Sequence, residues 1–450
     1  MQISRGTLKQ NLRRERAGKM TFEEGLRLVQ SEFMDPEVLG EEEAARNRRA
    51  AEDAMAGVPG SRETVISLLV SFLSDRGIEI KEMDMQLAAY EIYRELWGLG
   101  PLEEIYCDPE VNEIQVNAPD RVYVLKNLRL EYVPGVRFRD DDHVMNLIAR
   151  LVMHDRGVAL NRSNPTVESM RKDGTRITAT CPPVSEHVTC TLRKHLRRVV
   201  SFEEMISRGV LDEKGRDLLR LLVKGRANIA VIGGVGSGKT TLVRTLCGEF
   251  DRRARIVVLE TDRELQLARN YPDRNVIELE EHAEIGRTLK SIFRVVLRYS
   301  PTVIIVGEFR GEGEASEAVQ ACERGHDGSI TTAHFNSARL FVSGTARMLL
   351  REGLNLPRDA AEEMVASAFN VVVKMFGDST RGVMKLEAIT ELIPGTPVIY
   401  RDLLRWVPSG SDYLEGNWQL VERPSEELIL RLNKYGVSRE MLEEVYRRCS

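Results

Sequence analysis

The sequence predicts an α/β fold for its second half, preceded by a smaller α+β domain. After residue 205, apolar segments of strand length alternate with helical segments, which is typical of a parallel sheet covered on both faces. Between residues 61 and 197 the apolar residues recur first at helical spacing, then at every second position, and then again at helical spacing. This indicates helices and strands in one smaller domain. The length of 450 residues also exceeds what one ordinary core accommodates.

The composition is that of a globular protein with a balanced surface. Hydrophobic residues make up 42% and charged residues 30% of the chain, which excludes a wholly disordered protein. The formal net charge of −5 gives no global reason to expect nucleic acid as a direct partner. The six cysteines include no CxxC pair, and no apolar run approaches the roughly 20 residues that span a bilayer. We therefore expect a cytoplasmic protein without a disulfide framework or a zinc site.

The same patterns divide the chain into four segments. Residues 1–60 are rich in charge and poor in aromatic residues, so they fit either a charged helical arm or a flexible tail. Residues 61–197 form the predicted α+β domain, and residues 198–204 are expected to link it to the second domain. The second domain comprises residues 205–450, with a β-rich and then helical extension from about residue 390.

The alternation in the second domain can be followed element by element. Asp212 is a suitable N-cap for its first helix, and the strands are short apolar runs of the kind that lie buried in a parallel sheet. The predicted order is a helix to residue 224, a strand at 229–232, a helix at 240–250, a strand at 256–259, a helix at 284–298 and a strand at 303–306.

Residues 233–240, with the sequence GGVGSGKT, match the phosphate-binding pattern G-x-x-x-x-G-K-[ST]. The predicted strand before them and helix after them supply the context that this pattern requires. Glycines let backbone N–H groups surround an anion, and the helix N-terminus attracts it. The competing interpretation is a glycine-rich turn that only packs strand against helix.

Each residue type in this pattern has a chemical task. Lys239 is expected to reach the β and γ phosphates of ATP, and the hydroxyl of Thr240 is expected to ligate Mg²⁺. The predicted nucleotide-binding residues here are Gly233, Gly234, Val235, Gly236, Ser237, Gly238, Lys239, Thr240 and Thr241.

Carboxylates follow two of the predicted strands. Glu308 comes just after the strand at 303–306, and it is our candidate for orienting or deprotonating the attacking water. Glu260 ends the strand at 256–259, and Glu264 follows four residues later. Because parallel strands end at the same edge of the sheet, Glu260 and Glu308 are expected near the same γ phosphate. The alternatives are a solvated glutamate at a strand end for Glu308 and an ordinary helix cap for Glu264.

Several further segments resemble the ATPases of type II and type IV secretion and pilus-assembly systems. Residues 260–267 are similar to the Asp box of that family, residues 306–311 to its Walker B segment, and residues 325–336 to its His box. Residues 99–103 and 109–114 resemble the N-terminal domain of the CpaF-type ATPases of Tad/Flp pilus assembly. The resemblance covers roughly residues 85–400.

The resemblance implies a RecA-like P-loop ATPase domain in a ring-shaped hexamer. It also implies ATP and Mg²⁺ as cofactors, inner-membrane platform proteins as partners, and a position at the inner face of the cell membrane. Such a motor would drive pilin assembly or protein export. The tetracysteine zinc insert of many extension ATPases is absent, since no CxxC occurs.

The resemblance also assigns roles to individual residues. The implied catalytic group consists of Glu308, Glu260, Glu264, Arg294, Arg298, His326 and His334. Arg176 and Arg193 are implied phosphate contacts, for which the arginine fork is well suited. For His326 the alternative is a histidine satisfied within a turn, and for Arg294 and Arg298 it is a solvated helix face.

Two departures from the family pattern bear on turnover. Thr261 stands where the family usually has Asp, and one extra residue is present near Glu312. A nucleotide-binding scaffold with negligible turnover is therefore an alternative function. A DNA-transfer-associated secretion motor is a second alternative, which the even charge balance disfavours.

Overall fold

The computed structural model describes residues 19–155, 158–194, 198–309 and 314–447. The chain divides into two compact units, Met1–His195 and Leu196–Ser450. Within the described ranges, every helix is too short or too polar to cross a lipid bilayer. The first 18 residues of the expected arm and the extra residue near Glu312 lie outside the described residues.

A helical layer opens the first unit. It consists of α1 (Phe22–Glu32), α2 (Pro36–Leu39), α3 (Glu41–Ala56), α4 (Ser61–Asp75) and α5 (Met85–Leu96), with two short parallel strands, β1 (Lys19–Met20) and β2 (Glu79–Ile80). Thr21 and Glu24 form a capping box at the start of α1. Phe33 and Phe72 meet edge-on at 5.4 Å between ring centroids, inside a core that all the longer helices share.

Residues 1–60, which were expected to form a separate arm or tail, are not separate in their described part. This part, from residue 19 onward, packs on α4 and α5, so no boundary falls at residue 60. The buried face of α3 consists largely of alanines, including Ala44, Ala51 and Ala54. Alanine packs closely but gives a weak apolar signal, and the many charged residues of the outer face obscured it.

An antiparallel sheet forms the rest of the first unit. Its elements are α6 (Glu103–Cys107), β3 (Val111–Ala118), β4 (Arg121–Lys126), β5 (Arg129–Tyr132), α7 (Asp141–Val152), β6 (Thr166–Met170), β7 (Arg176–Thr180) and β8 (Thr189–Arg193). The sheet order is β5-β4-β3-β8-β7-β6, and α7 shares a core with it. The predicted hairpin is β3–β4, in which Ile114 faces Val124 and Val116 faces Val122.

The second unit alternates helices and strands as expected. Its helices are α8 (Phe202–Ser207), α9 (Glu213–Lys224), α10 (Lys239–Cys247), α11 (Leu267–Asn270), α12 (Leu289–Val296), α13 (Glu314–Glu323), α14 (Ala338–Arg351), α15 (Arg358–Ala368), α16 (Glu426–Asn433) and α17 (Arg439–Arg447). Its strands are β9 (Ile229–Gly233), β10 (Arg255–Glu260), β11 (Asn275–Glu280), β12 (Val303–Phe309), β13 (Ile330–Ala333), β14 (Val371–Asp378), β15 (Val383–Ile393), β16 (Ile399–Pro408) and β17 (Gly416–Leu420).

These strands form one mixed sheet in the order β11-β10-β12-β13-β9-β14-β15-β16-β17. The strands from β11 to β14 run parallel, and β15 to β17 continue the sheet antiparallel. Alternate residues of β9 enter two different cores, since Ile229 and Val231 pack on one face and Ala230 and Ile232 on the other. The prediction of a parallel sheet covered on both faces is confirmed for β9 to β13.

Three boundaries differ from the expectation. The helix expected at 284–298 is shorter, because Thr288 caps α12 and Gly286 adopts a left-handed φ of 72°. The link expected at 198–204 is partly core, since Val200 and Phe202 are 7% and 2% exposed. The extension expected from about residue 390 belongs to the main sheet, because β15 pairs with β14 from Val383 onward.

Candidate nucleotide site

The glycine-rich loop between β9 and α10 has backbone geometry that only glycine accommodates. Gly233, Gly236 and Gly238 have φ angles of 154°, 71° and 87°, where side chains are strained. A Cβ at Gly233 would lie 2.3 Å from the carbonyl oxygen of Met375, and one at Gly238 would lie 2.3 Å from Met384 Sδ. The loop therefore has no room for side chains at Gly233 and Gly238, and it ends directly at the N-terminus of α10. The N–H groups and partial positive charge of a helix N-terminus attract anions.

The other residues assigned to the nucleotide lie around the same turn. The hydroxyl of Ser237 donates to the Gly234 carbonyl at 2.8 Å, which closes the loop on itself. Val235 is exposed at the tip, and Thr241 is half-buried in the first turn of α10. Residues 233–241 thus form one continuous loop and helix start.

Lys239 is buried within this loop. Its Nζ donates to the carbonyls of Gly233 and Gly234 at 3.0 and 2.9 Å. The same Nζ lies 3.4 Å from Nδ1 of His334. The ammonium is therefore held at the carboxyl edge of the sheet, between the loop and the residue that follows β13.

Glu308 and His334 meet at this edge. Glu308 pairs with Thr332 across β12 and β13, after an irregularity in register that follows Val306. His334 comes directly after β13, and its Nε2 contacts Oε1 of Glu308. A neutral imidazole with its proton on Nε2 donates to the carboxylate and accepts from Lys239 at Nδ1. Lys239, His334 and Glu308 thus form a continuous chain of polar contacts.

Glu264 lies beside the hydroxyl of Thr240. Thr240 Oγ1 donates to Glu264 Oε2 at 3.2 Å, so two oxygen groups meet at the start of α10. Glu260 does not reach this point with its own carboxyl. Its Oε1 instead accepts from the backbone N–H groups of Glu264 and Leu265, at 3.2 and 3.1 Å. The structure therefore brings Glu264 to Thr240 and gives Glu260 a supporting position behind it.

The carboxyl of Glu260 is enclosed by protein. Burial raises the pKa of Glu260 to about 8, and the nearby carboxylates of Glu278 and Glu264 act in the same direction. Gly307 on β12 provides the room, because a Cβ there would lie 2.8 Å from Glu260 Cγ. The Oε2 atom of Glu260 is buried without a hydrogen-bond partner among the described residues, which adds to the desolvation of this carboxyl.

His326, Arg294 and Arg298 are not brought to the phosphate loop within the chain. His326 Nδ1 lies 3.2 Å from the Pro301 carbonyl, which precedes β12 and so marks the opposite edge of the sheet. Arg294 is exposed on α12, and Arg298 is exposed in the turn that leads to the start of β12. For His326 the structure favours the satisfied turn histidine, and for the two arginines it favours the exposed face.

Arg176 and Arg193 are neighbours in the first unit. They face each other across β7 and β8, and Arg193 also pairs with Glu113 on β3. Paired residues of adjacent strands point to the same face of a sheet, so the two guanidinium groups lie on one face. Their role as phosphate contacts stays a prediction.

Arg244 is a site residue that was not predicted from the sequence. This residue is 3% exposed on α10, and its guanidinium donates to the backbone carbonyls of Glu264 and Leu265. The available signal was an arginine within the otherwise apolar face formed by Leu242, Val243 and Leu246.

One protein family, described as "Type II/IV secretion system protein", has a model that matches residues 95–376 of the chain. The match spans the glycine-rich loop, Glu308 and His334. The chain belongs to the type II/IV secretion system protein family. The expected family and α/β ATPase fold are thereby confirmed, and so, at the level of the family, is ATP hydrolysis in a secretion or pilus machinery. The narrower CpaF-type resemblance stays a prediction.

Individual members of this family show the extent of the similarity. The chain is 30% identical over 315 residues to the type IV secretion system protein VirB11 of Brucella suis, covering 61% of this chain and 83% of VirB11. It is 31% identical over 295 residues to the type IV secretion system protein PtlH of Bordetella pertussis, covering 59% and 85%. The crystal structure of the VirB11 ATPase from Brucella suis in complex with sulphate matches at 27% identity, covering 65% and 93%, with a TM-score of 0.35.

Proposed function

We propose that this secretion-family protein is an ATP-hydrolysing motor whose reaction centre is the chain of contacts from Lys239 through His334 to Glu308. That chain is the observation that carries the proposal. It links the phosphate-binding loop, the end of β12 and the end of β13 at the edge of the sheet where ligands of α/β proteins bind.

The residues present fit ATP and Mg²⁺. The positive-φ glycines fix the turn of the loop, since a Cβ at Gly233 or Gly238 would collide with Met375 or Met384, and Thr240 and Glu264 place two oxygen groups beside it. Among the described residues, no group of three or more His, Cys, Asp or Glu side chains could hold a metal by itself. Mg²⁺ is commonly held by one or two protein oxygens together with phosphates and water, and Thr240 and Glu264 are placed to supply such oxygens. When bound, Mg²⁺ neutralises charge on the β and γ phosphates.

The chain's own residues divide the remaining tasks. Lys239 exchanges its contacts with the Gly233 and Gly234 carbonyls for phosphate oxygens. Glu308 orients the attacking water and takes up its proton. His334 holds the Glu308 carboxylate in place through Nε2 and so couples it to the position of Lys239.

We further propose the setting in which this motor acts. The similarity of residues 99–103 and 109–114 to CpaF-type proteins supports a Tad/Flp-type pilus or secretion machine. In that setting the protein is a hexamer at the cytoplasmic face of the inner membrane and binds platform proteins there. Arg176 and Arg193 supply two positive charges for the nucleotide phosphates. No direct contact with nucleic acid is expected.

A phosphate-release assay with Mg·ATP tests the motor against the nucleotide-binding scaffold. Turnover clearly above that of Lys239→Ala supports the motor. Nucleotide binding without turnover above that control would favour the scaffold instead. DNA should not stimulate the reaction, and stimulation that falls steeply with salt would favour a DNA-transfer motor.

A further inference from the structure

The guanidinium of Arg244 binds one short piece of backbone through two of its nitrogens. Arg244 lies on α10, five residues after Lys239, and its Nε donates to the Leu265 carbonyl at 2.9 Å. Its Nη2 donates to the Glu264 carbonyl at 2.7 Å. The planar fork of an arginine can reach two neighbouring carbonyls in this way, whereas an ammonium offers no such fixed geometry.

Glu260 holds the same two residues from their amide side. Its Oε1 accepts from the N–H groups of Glu264 and Leu265 at 3.2 and 3.1 Å. Both N–H groups and both carbonyls of these residues are therefore bonded to buried side chains. We call this arrangement the Asp-box clamp: Arg244 and Glu260 acting on the backbone of residues 264 and 265.

The clamp determines where one carboxylate lies. With its backbone fixed on both sides, Glu264 directs Oε2 to the hydroxyl of Thr240 at 3.2 Å. Arg244 and Thr240 belong to the same helix, so α10 sets the distance between the hydroxyl and the held carboxylate.

We propose that Arg244 is a positioning residue for ATP hydrolysis, which keeps the Glu264 carboxylate beside Thr240 so that both can act on Mg²⁺ and its waters. This inference rests on the proposed function. Nε and Nη2 of Arg244 are bonded to backbone carbonyls of the Asp box, so these two donors do not act on the nucleotide directly. The effect of Arg244 is expected through Glu264, in the way that outer residues orient the groups around a metal.

The test is the variant Arg244→Met, which keeps an unbranched, apolar stem but removes the donors. We expect kcat to fall and the half-saturating Mg²⁺ concentration to rise, each about tenfold, with little change in KM for ATP at saturating Mg²⁺. A readout independent of turnover is the gain in affinity that Mg²⁺ gives a non-hydrolysable ATP analogue, measured by calorimetry. That gain should shrink in the variant.

Arg274→Met is the matched control. The guanidinium of Arg274 also donates to two backbone carbonyls, those of Gly248 and Phe250, but these lie beyond the far end of α10. Its loss should lower thermal stability without changing the Mg²⁺ requirement. Arg244→Lys keeps the charge but not the fork, so we expect it to restore only part of the function.

Hydrogen exchange tests the clamp without any nucleotide. The amides of residues 261–267 should exchange faster in Arg244→Met than in the wild type, and Arg274→Met should leave them unchanged. If Arg244→Met folds poorly, Glu264→Gln takes its place in the Mg²⁺ titration, because it leaves the backbone donors intact and should show the same raised requirement.

The outcomes separate this inference from the proposed function. Equal exchange rates in wild type and Arg244→Met, or an unchanged Mg²⁺ requirement in a folded Arg244→Met or in Glu264→Gln, would overturn the role of Arg244. The motor would then still stand if the wild type released phosphate above Lys239→Ala. Conversely, a wild type without turnover would refute the motor, whereas the exchange measurement would still decide whether the clamp exists.

Discussion

The imidazole of His334 contacts the carboxylate of Glu308 through Nε2, at the point where two neighbouring parallel strands end. Its other nitrogen lies 3.4 Å from Nζ of Lys239. One side chain therefore connects the group expected to hold phosphate with the group expected to direct water. This explains in physical terms why a histidine follows β13, since a neutral imidazole can donate at one nitrogen and accept at the other.

Replacing His334 by Gln should impair hydrolysis more than binding. Glutamine cannot both donate to Glu308 and accept from Lys239 with the geometry of the ring, so the carboxylate loses its fixed orientation. We expect kcat to fall by roughly 100-fold, because small displacements of a reacting group are costly. Steady-state phosphate release across ATP concentrations gives kcat and KM separately.

His326→Gln provides the comparison for this prediction. His326 belongs to the same segment but lies at the other edge of the sheet, near Pro301. Its replacement should reduce kcat much less than His334→Gln. A larger effect at His326 would contradict the arrangement described here and would support the role implied by the family resemblance.

The buried Glu260 should make stability depend on pH. Its pKa is about 8 in the folded protein, against a reference value of 4.5, because burial disfavours the carboxylate. Between these values the native state binds more protons than the unfolded state, so this group lowers the free energy of unfolding as pH rises through that window. Glu260→Gln removes the titration, so the variant should gain stability relative to the wild type toward the upper end.

Urea unfolding of both proteins at a series of pH values tests this directly. The quantity of interest is the difference between the two free energies of unfolding, since groups distant from Glu260 titrate equally in both. A difference that stays constant from pH 4.5 to about 8 would show that Glu260 is ionised in the native state throughout.

An ion pair between helix α16 and the turn before β13 should stabilise the second unit. Arg431 on α16 lies 2.7 Å from Asp327, with side-chain exposures of 23% and 24%, and Tyr435 donates to the same carboxylate. Arg431→Met should lower the free energy of unfolding by about 2 kcal/mol, because it leaves the largely buried carboxylate of Asp327 with fewer hydrogen-bond donors.

Arg439→Met is the matched control on α17. The pair of Arg439 with Glu426 is exposed at 54% and 68%, so solvent weakens it and its loss should change the free energy of unfolding much less. Thermal or urea unfolding measures both variants. Equal losses would mean that the Asp327 contact contributes no more than an exposed surface pair.

The helical layer of the first unit gives a further prediction. Phe33 is 0% exposed and lies against Phe72. Phe33→Ala should therefore lower the free energy of unfolding by about 3–5 kcal/mol. Leu87→Ala, at a side chain that is 43% exposed, should have little effect. If Phe33→Ala proved equally harmless, residues before 60 would be the loosely attached arm that their composition indicates.

The loop and the ends of the strands could be predicted because their signals are local. The GGVGSGKT segment needs a strand before it and a helix after it, and both surround residues 233–238 in the structure. Lys239, Thr240, Glu264, Glu308 and His334 come together there. This follows because parallel strands end at one edge of the sheet.

Other features depend on tertiary contacts, which no local pattern of the sequence shows. His326 precedes β13 and so lies at the edge of the sheet where the parallel strands begin, near Pro301. The residues around His326 do not indicate this edge by themselves. Arg244 was missed because its partners are backbone carbonyls of residues 264 and 265, which have no sequence signature. The buried face of α3 was not predicted, because a helix of alanines and charged residues has the composition of a solvent-exposed helix.

The most direct test of the account compares nucleotide binding and phosphate release in Glu308→Gln and the wild type. We expect Glu308→Gln to bind Mg·ATP about as tightly as the wild type, because the loop, Lys239 and Thr240 are unchanged, but to release almost no phosphate. Normal phosphate release by a folded Glu308→Gln protein would contradict the assignment of Glu308 as the group that directs water.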